Sequence, residues 1–113
     1  LYSHEEIDEL SYLFQGFKYG HVEPWGAFAG EGESPTLSFH HAGHVLGSAG
    51  VCVAHGKESL FYTGDVCFHD QTLSPKADFD GVKADVLILE TTRGNTETPA
   101  GFTRDKEVKR FLH

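Results

Sequence analysis

Four short extended stretches, each bounded by glycine or a polar turn, fill residues 36–94 and constrain the fold more than any other feature. Residues 36–41 (Thr-Leu-Ser-Phe-His-His) read as a strand running into a polar loop. Residues 50–55 (Gly-Val-Cys-Val-Ala-His) alternate like a half-buried strand. Gly56-Lys57-Glu58 supplies a tight turn, and residues 60–63 make the return strand. Residues 84–89 (Ala-Asp-Val-Leu-Ile-Leu) are a nearly unbroken apolar run, which predicts a strand covered on both faces. Together they predict one mixed, largely antiparallel sheet in an α/β (α+β) fold.

The flanks read differently. Ser3-His4-Glu5-Glu6 has the form of a capping box. Ile7, Leu10, Leu13 and Phe14 then recur at helical spacing, predicting a helix that stops near Gly16. Gly20, Pro24, Gly26, Gly30, Gly32 and Pro35 make residues 17–36 a region of turns and short extended pieces. Thr103-Arg104-Asp105-Lys106 opens a second helix with Val108, Phe111 and Leu112 on one face, running to His113. There is no internal repeat.

A chain of 113 residues suits one small domain. It begins at Leu1 and contains no Met, so an excised or processed piece of a longer protein is expected. Nine basic against seventeen acidic residues give a net charge of −8. Such a chain does not hold nucleic acid by charge alone, because that needs Lys and Arg against phosphate. No apolar run approaches the roughly 18–20 residues that cross a bilayer, so no membrane partner is expected. Cys52 and Cys67 read as two reduced thiols of a cytoplasmic protein. Eight histidines direct attention to where they cluster.

Three of the strands deliver a chemically useful side chain just past their C-terminal ends. Residues 36–41 run into His40-His41-Ala42-Gly43-His44, residues 60–63 into Gly64-Asp65, and residues 84–89 into Glu90. Strand C-termini are where α/β proteins build sites. Imidazole and carboxylate are ordinary ligands of zinc, iron or manganese. A carboxylate has two oxygens and can bridge two ions, which together can activate a water for phosphoryl displacement. Gly43, Gly47, Ser48 and Gly64 are small enough to leave room for backbone to approach a metal or phosphate, and Gly47-Ser48 reads either as backbone N–H groups offered to a phosphate or as a plain tight turn. The residues alone support a metal hydrolase with an incomplete ligand set, since His44 and Asp65 are only two donors.

The blocks Phe39-His40-His41-Ala42-Gly43-His44-Val45-Leu46-Gly47-Ser48-Ala49, Tyr62-Thr63-Gly64-Asp65 and Ala84-Asp85-Val86-Leu87-Ile88-Leu89-Glu90-Thr91-Thr92-Arg93-Gly94 resemble the metallo-β-lactamase superfamily. More closely they resemble its β-CASP branch of RNA-processing nucleases. Their order and spacing, 21 residues from His44 to Asp65 and 25 more to Glu90, agree with that branch. The resemblance implies part of an αββα sandwich over residues 1–94 and the start of the inserted β-CASP module over residues 95–113. It implies that His44 binds one metal and that Asp65 bridges two. It also implies that Glu90 orients a histidine acting near the leaving group, making Asp65 and Glu90 the candidate catalytic residues. The implied cofactors are two zinc ions, with manganese or iron as alternatives, and the implied partner is RNA. The family's H-x-H-x-D-H motif is not in this sequence, so the chain alone is expected to be inactive. Arg93 stands where relatives often carry Tyr, which bears on substrate preference.

The remaining histidines and Cys67 read as structural. His41 reads as a supporting residue, and His40, His55 and the His69-Asp70 pair lack partner motifs. Two other functions compete with a ribonuclease: a hydrolase of the same fold acting on a thioester or lactam, and a non-catalytic pseudo-nuclease scaffold. The Glu90-Thr91-Thr92 block favours the nuclease, and retention of His44 and Asp65 disfavours the scaffold.

Overall fold

A computed structural model describes residues 2–26 and 32–112. Helix α1 spans His4–Ser11, followed by strands β1 (Val22–Pro24), β2 (Thr36–His41), β3 (Ala49–His55), β4 (Glu58–Tyr62) and β5 (Val86–Ile88), and by helix α2 (Arg104–Phe111). The strands form one sheet in the order β1-β2-β3-β4-β5. The first three pairings are antiparallel and β4–β5 is parallel. The result is an α+β domain with a mixed sheet, as expected. The turns assigned to Gly30 and the helical run to His113 lie outside the described residues.

Strand direction places the site. β3 runs opposite to both β2 and β4, and β5 runs parallel to β4. Hence β2, β4 and β5 all point the same way and end at one edge of the sheet. Each bears its candidate residue just past that edge. Strands lie about 4.8 Å apart, so β2 and β4 are separated by about 10 Å across β3. The loops after them must lean toward each other to meet.

The core sits on one face of β2–β4. Phe61 is buried with its ring edge-on to His40 and, at 4.8 Å between centroids, to Phe79. Phe79 in turn meets Phe68. The segment linking β4 to β5 therefore folds over the sheet and brings Ala77 into the core with Ala42. On the other face, Phe17 stacks on Phe39 at 5.0 Å, and Tyr19 stands edge-on to His41.

β5 is pinned at both ends. Near its start, Ser59 donates from its backbone N–H and its hydroxyl to one Asp85 carboxylate oxygen, each at 2.8 Å. Past its end, Thr63 donates its N–H to the carbonyl of Ile88, and Glu90 donates its N–H to the Thr63 hydroxyl oxygen.

Several expectations are corrected. β5 is not covered on both faces: all three of its residues are exposed, and Leu87 retains 61% of its surface. Among the described residues it pairs with β4 alone and no element packs over it. β3 shows no clean alternation: Gly50 is buried and its neighbours on both sides are half-buried. Helix α1 stops at Ser11 rather than near Gly16. The Ser11 hydroxyl donates to the Asp8 carbonyl at 2.6 Å, and turn bonds from Leu13 and Phe14 replace the helical ladder. Its capping box forms as expected: Ser3 and Glu6 exchange side-chain-to-backbone bonds of 3.2 and 2.7 Å. Neither helix has a buried residue.

Candidate metal centre

The loop after β2 and the loop after β4 are joined backbone to backbone. Gly43 bridges Val66, Cys67 donates its N–H to the Ala42 carbonyl, and Ala77 donates to the Cys67 carbonyl. Asp78 closes the set by donating to the His41 carbonyl. This contact requires glycine at position 43. Its φ is +71°, and a Cβ there would lie 2.4 Å from both Ala77 N and Cys67 O. Gly64 has φ of +58°, and a Cβ there would lie 2.9 Å from the Ala49 carbonyl oxygen. Both glycines thus admit close approach of neighbouring backbone.

This joining brings His44 and Asp65 together, with His44 Nε2 4.0 Å from Asp65 Oδ2. Both side chains remain open to solvent, at 50% and 66% exposure. An ion held tetrahedrally at about 2.1 Å from each donor would set them about 3.4 Å apart. Closing on a shared ion therefore takes a movement of about 0.6 Å. A nitrogen and a carboxylate oxygen at this separation fit metal ligation as part of a coordination sphere. They do not complete one: among the described residues no group of three or more His, Cys, Asp or Glu side chains could hold an ion.

Glu90 joins them from β5. One carboxylate oxygen accepts from the Thr92 N–H at 2.8 Å, and the other from the Val66 N–H at 3.5 Å. The Thr92 backbone N–H, then its side chain, then the Val66 N–H hold the Glu90 carboxyl below the usual carboxylate range. Desolvation opposes this, and the nearby His44 adds a small further lowering. Glu90 thus grips the backbone next to Asp65, so all three candidate residues converge on one edge.

Three other histidines are engaged elsewhere. His41 Nδ1 accepts from the Gly43 N–H at 3.1 Å, the supporting role expected of it. His40 meets the Ser38 hydroxyl, and His55 the Glu33 carbonyl. Asp70 accepts from the Lys76 N–H, so the His69-Asp70 pair is part of a loop closure. The Cys67 thiol points to the His69 carbonyl. The Ser48 N–H donates to the Val45 carbonyl, which makes residues 45–48 the tight turn, one of the two readings of Gly47-Ser48.

Three residues shape the His44 loop without having been singled out for it. The Ser48 hydroxyl oxygen accepts from the N–H groups of both His44 and Val45, at 3.0 and 3.2 Å. Tyr19 donates its hydroxyl to the Ser48 carbonyl. Gln71 donates to the carbonyls of Gly43 and His44, at 2.5 and 2.7 Å. A serine four residues after a loop histidine is a readable signal for the first. Nothing in the sequence marks Gln71, which reaches its partners across 28 and 27 residues.

No protein-family model matches the chain. Among known proteins it is similar to an Integrator complex subunit 11 homolog of Dictyostelium discoideum, 36% identical over 81 residues, which is 72% of this chain and 11% of that protein. An RNase J-like protein of Methanocaldococcus jannaschii is 41% identical over 64 residues, 56% of this chain and 15% of that protein. Endoribonuclease YSH1 of Yarrowia lipolytica is 30% identical over 74 residues, 66% of this chain and 9% of that protein. The chain thus spans between 9% and 15% of the length of these relatives. With the three motif blocks converging at one sheet edge, these similarities make the chain a member of the β-CASP branch of the metallo-β-lactamase superfamily.

Proposed function

We propose that the chain is part of a metal-dependent ribonuclease that hydrolyses RNA phosphodiester bonds, working in the cytoplasm. The observation that carries this reading is the 4.0 Å approach of His44 Nε2 to Asp65 Oδ2 at the edge where Glu90 also ends. Relatives whose names read RNase J-like protein and Endoribonuclease support the substrate class. In this reading residues 1–94 belong to the αββα sandwich and residues 95–113 begin the β-CASP module. The exposed apolar faces of β5 and α2 support further chain packing there in the full-length protein.

His44 would hold one ion through Nε2, and Asp65 would share its two oxygens between two. Zinc suits this nitrogen-and-oxygen donor pair, with manganese or iron as alternatives. When bound, the ions would lower the pKa of a water and offset charge on the phosphoryl oxygens. Asp65 would supply negative charge to the bound metal. Glu90 stabilises the turn beside Asp65 through the Val66 N–H and orients a proton donor near the leaving group. The chain's net charge of −8 supports an RNA grip supplied by the ions and the rest of the protein.

The test is a pair of full-length variants. Asp65→Asn keeps the shape but removes the charge, and should lose metal and RNA cleavage together, the latter by several orders of magnitude. Glu90→Gln should keep its metal and slow cleavage. An Asp65→Asn protein with full metal content and near-normal cleavage would refute the assignment.

A further inference from the structure

The His44 side chain leaves the backbone between two peptide planes, 43–44 and 44–45. Both planes are held on both edges. On the N–H side, the single Ser48 Oγ accepts from His44 N and Val45 N. On the carbonyl side, the single Gln71 Nε2 donates to Gly43 O and His44 O. Two side-chain atoms, neither near enough in role to be a ligand, therefore fix the two dihedrals that aim the His44 Cα–Cβ bond. They also differ in origin. Ser48 belongs to the His44 loop itself, whereas Gln71 belongs to the loop that carries Asp65, six residues after it.

We propose that Gln71 is a positioning residue that sets the His44 imidazole relative to Asp65 and so sets the affinity of the ion they share. This rests on the reading of His44 and Asp65 as ligands. Backbone stitching through Gly43, Val66 and Cys67 brings the two loops together, but it acts before His44. Among the described residues, only Gln71 ties the Asp65 loop to the carbonyl of His44 itself. Without it, the 44–45 plane is held by Ser48 alone and can swing, and the imidazole with it. Groups that orient a metal ligand without touching the metal typically alter affinity by about 10–100-fold when lost.

The experiment is a Co²⁺ titration of the full-length protein followed by the visible absorption of the bound ion, with melting temperature recorded in parallel. His44→Ala comes first: unchanged Co²⁺ binding there would sink the ligand reading itself, independently of Gln71. With His44 established, Gln71→Leu removes both donors at similar size and should weaken Co²⁺ about ten-fold or more with an altered spectrum. Native Co²⁺ affinity in a folded Gln71→Leu protein would overturn the proposal. Should that variant not fold, Gln71→Lys and Gln71→Glu decide. Lys restores donors to both carbonyls and should bind Co²⁺ within about three-fold of native, while Glu faces them with a carboxylate and should not. Equal Co²⁺ affinity in the Lys and Glu proteins would refute it.

Discussion

The loops after β2 and β4 and the two terminal helices are held in opposite ways. The loops turn at Gly43, Gly47 and Gly64 and are fixed by direct main-chain bonds and by Ser48, Gln71 and Glu90. The helices carry large apolar side chains, yet bury none. Phe14 just past α1 is 84% exposed and Phe111 in α2 is 89% exposed. The helices are held by their caps, Ser3 with Glu6 in α1 and Thr103 in α2, and by the Arg104 guanidinium donating to the Asp70 carbonyl. Site geometry here is thus a property of local hydrogen bonding and close backbone approach. It does not depend on how much of the apolar surface is covered.

That contrast can be broken most severely at glycine. Gly43 and Gly101 have nearly the same backbone, with φ of +71° and +79°, but only Gly43 has neighbours within reach of a Cβ. Gly43→Ala should cost about 3 kcal/mol or more, from strain plus collision with Ala77 and Cys67. Gly101→Ala should cost about 1 kcal/mol, from strain alone. Urea denaturation of the two variants measures the difference. Equal losses would mean that the joining of the loops does not govern stability.

Acid should sharpen the comparison from both sides, with a smaller effect. Glu90 is held below the ordinary carboxylate range first by the Thr92 N–H, and Asp85 first by the Ser59 hydroxyl. In α1, Glu6 is lowered first by the Ser3 backbone N–H. All three folded values are depressed. The stability they contribute is therefore fully present above the unfolded carboxylate value of about 4 and is lost as pH falls through the folded values. Carboxyl-detected NMR should show each of the three groups titrating below the ordinary value for its residue type. The amide shifts of Val66, Thr92 and Ser59 should follow Glu90 and Asp85, and that of Ser3 should follow Glu6.

The smallest effect is expected where the apolar surface is largest. Leu13→Ala and Phe14→Ala should change the stability of this chain by no more than about 0.5 kcal/mol, since neither side chain is buried. A loss of 2 kcal/mol or more in thermal or urea unfolding would show that these residues are packed in solution and would remove the contrast.

Much of this was legible from residue patterns. Strand β2 was readable to the residue, because its polar loop and glycines mark its end. The convergence of His44, Asp65 and Glu90 followed from three strands each ending in a donor. Most of what stayed hidden depends on long-range contact. The exposure of β5 was hidden because an apolar run looks the same whether or not something lies against it. The early stop of α1 was hidden because Ser11 competes for the Asp8 carbonyl inside an otherwise helical pattern. Gly43 and Gly64 were recognisable as sites of close backbone approach, but not that the partner is other backbone. Gln71 carries no pattern at all, since its two partners lie in another loop.

The central claim is that the His44 and Asp65 loops meet to share one ion, and the most direct measurement is Mn²⁺ titration of the ¹⁵N-labelled 113-residue chain followed by paramagnetic broadening. Broadening reports proximity even when binding is weak, so an incomplete ligand set is no obstacle. The expected result is that the amide signals of His44, Asp65 and Val66 broaden first and together at low Mn²⁺. Those of His55 and Glu58, at the opposite end of β3 and β4, should persist. Early broadening at His69 and Asp70, with His44 and Asp65 unaffected, would contradict the shared site.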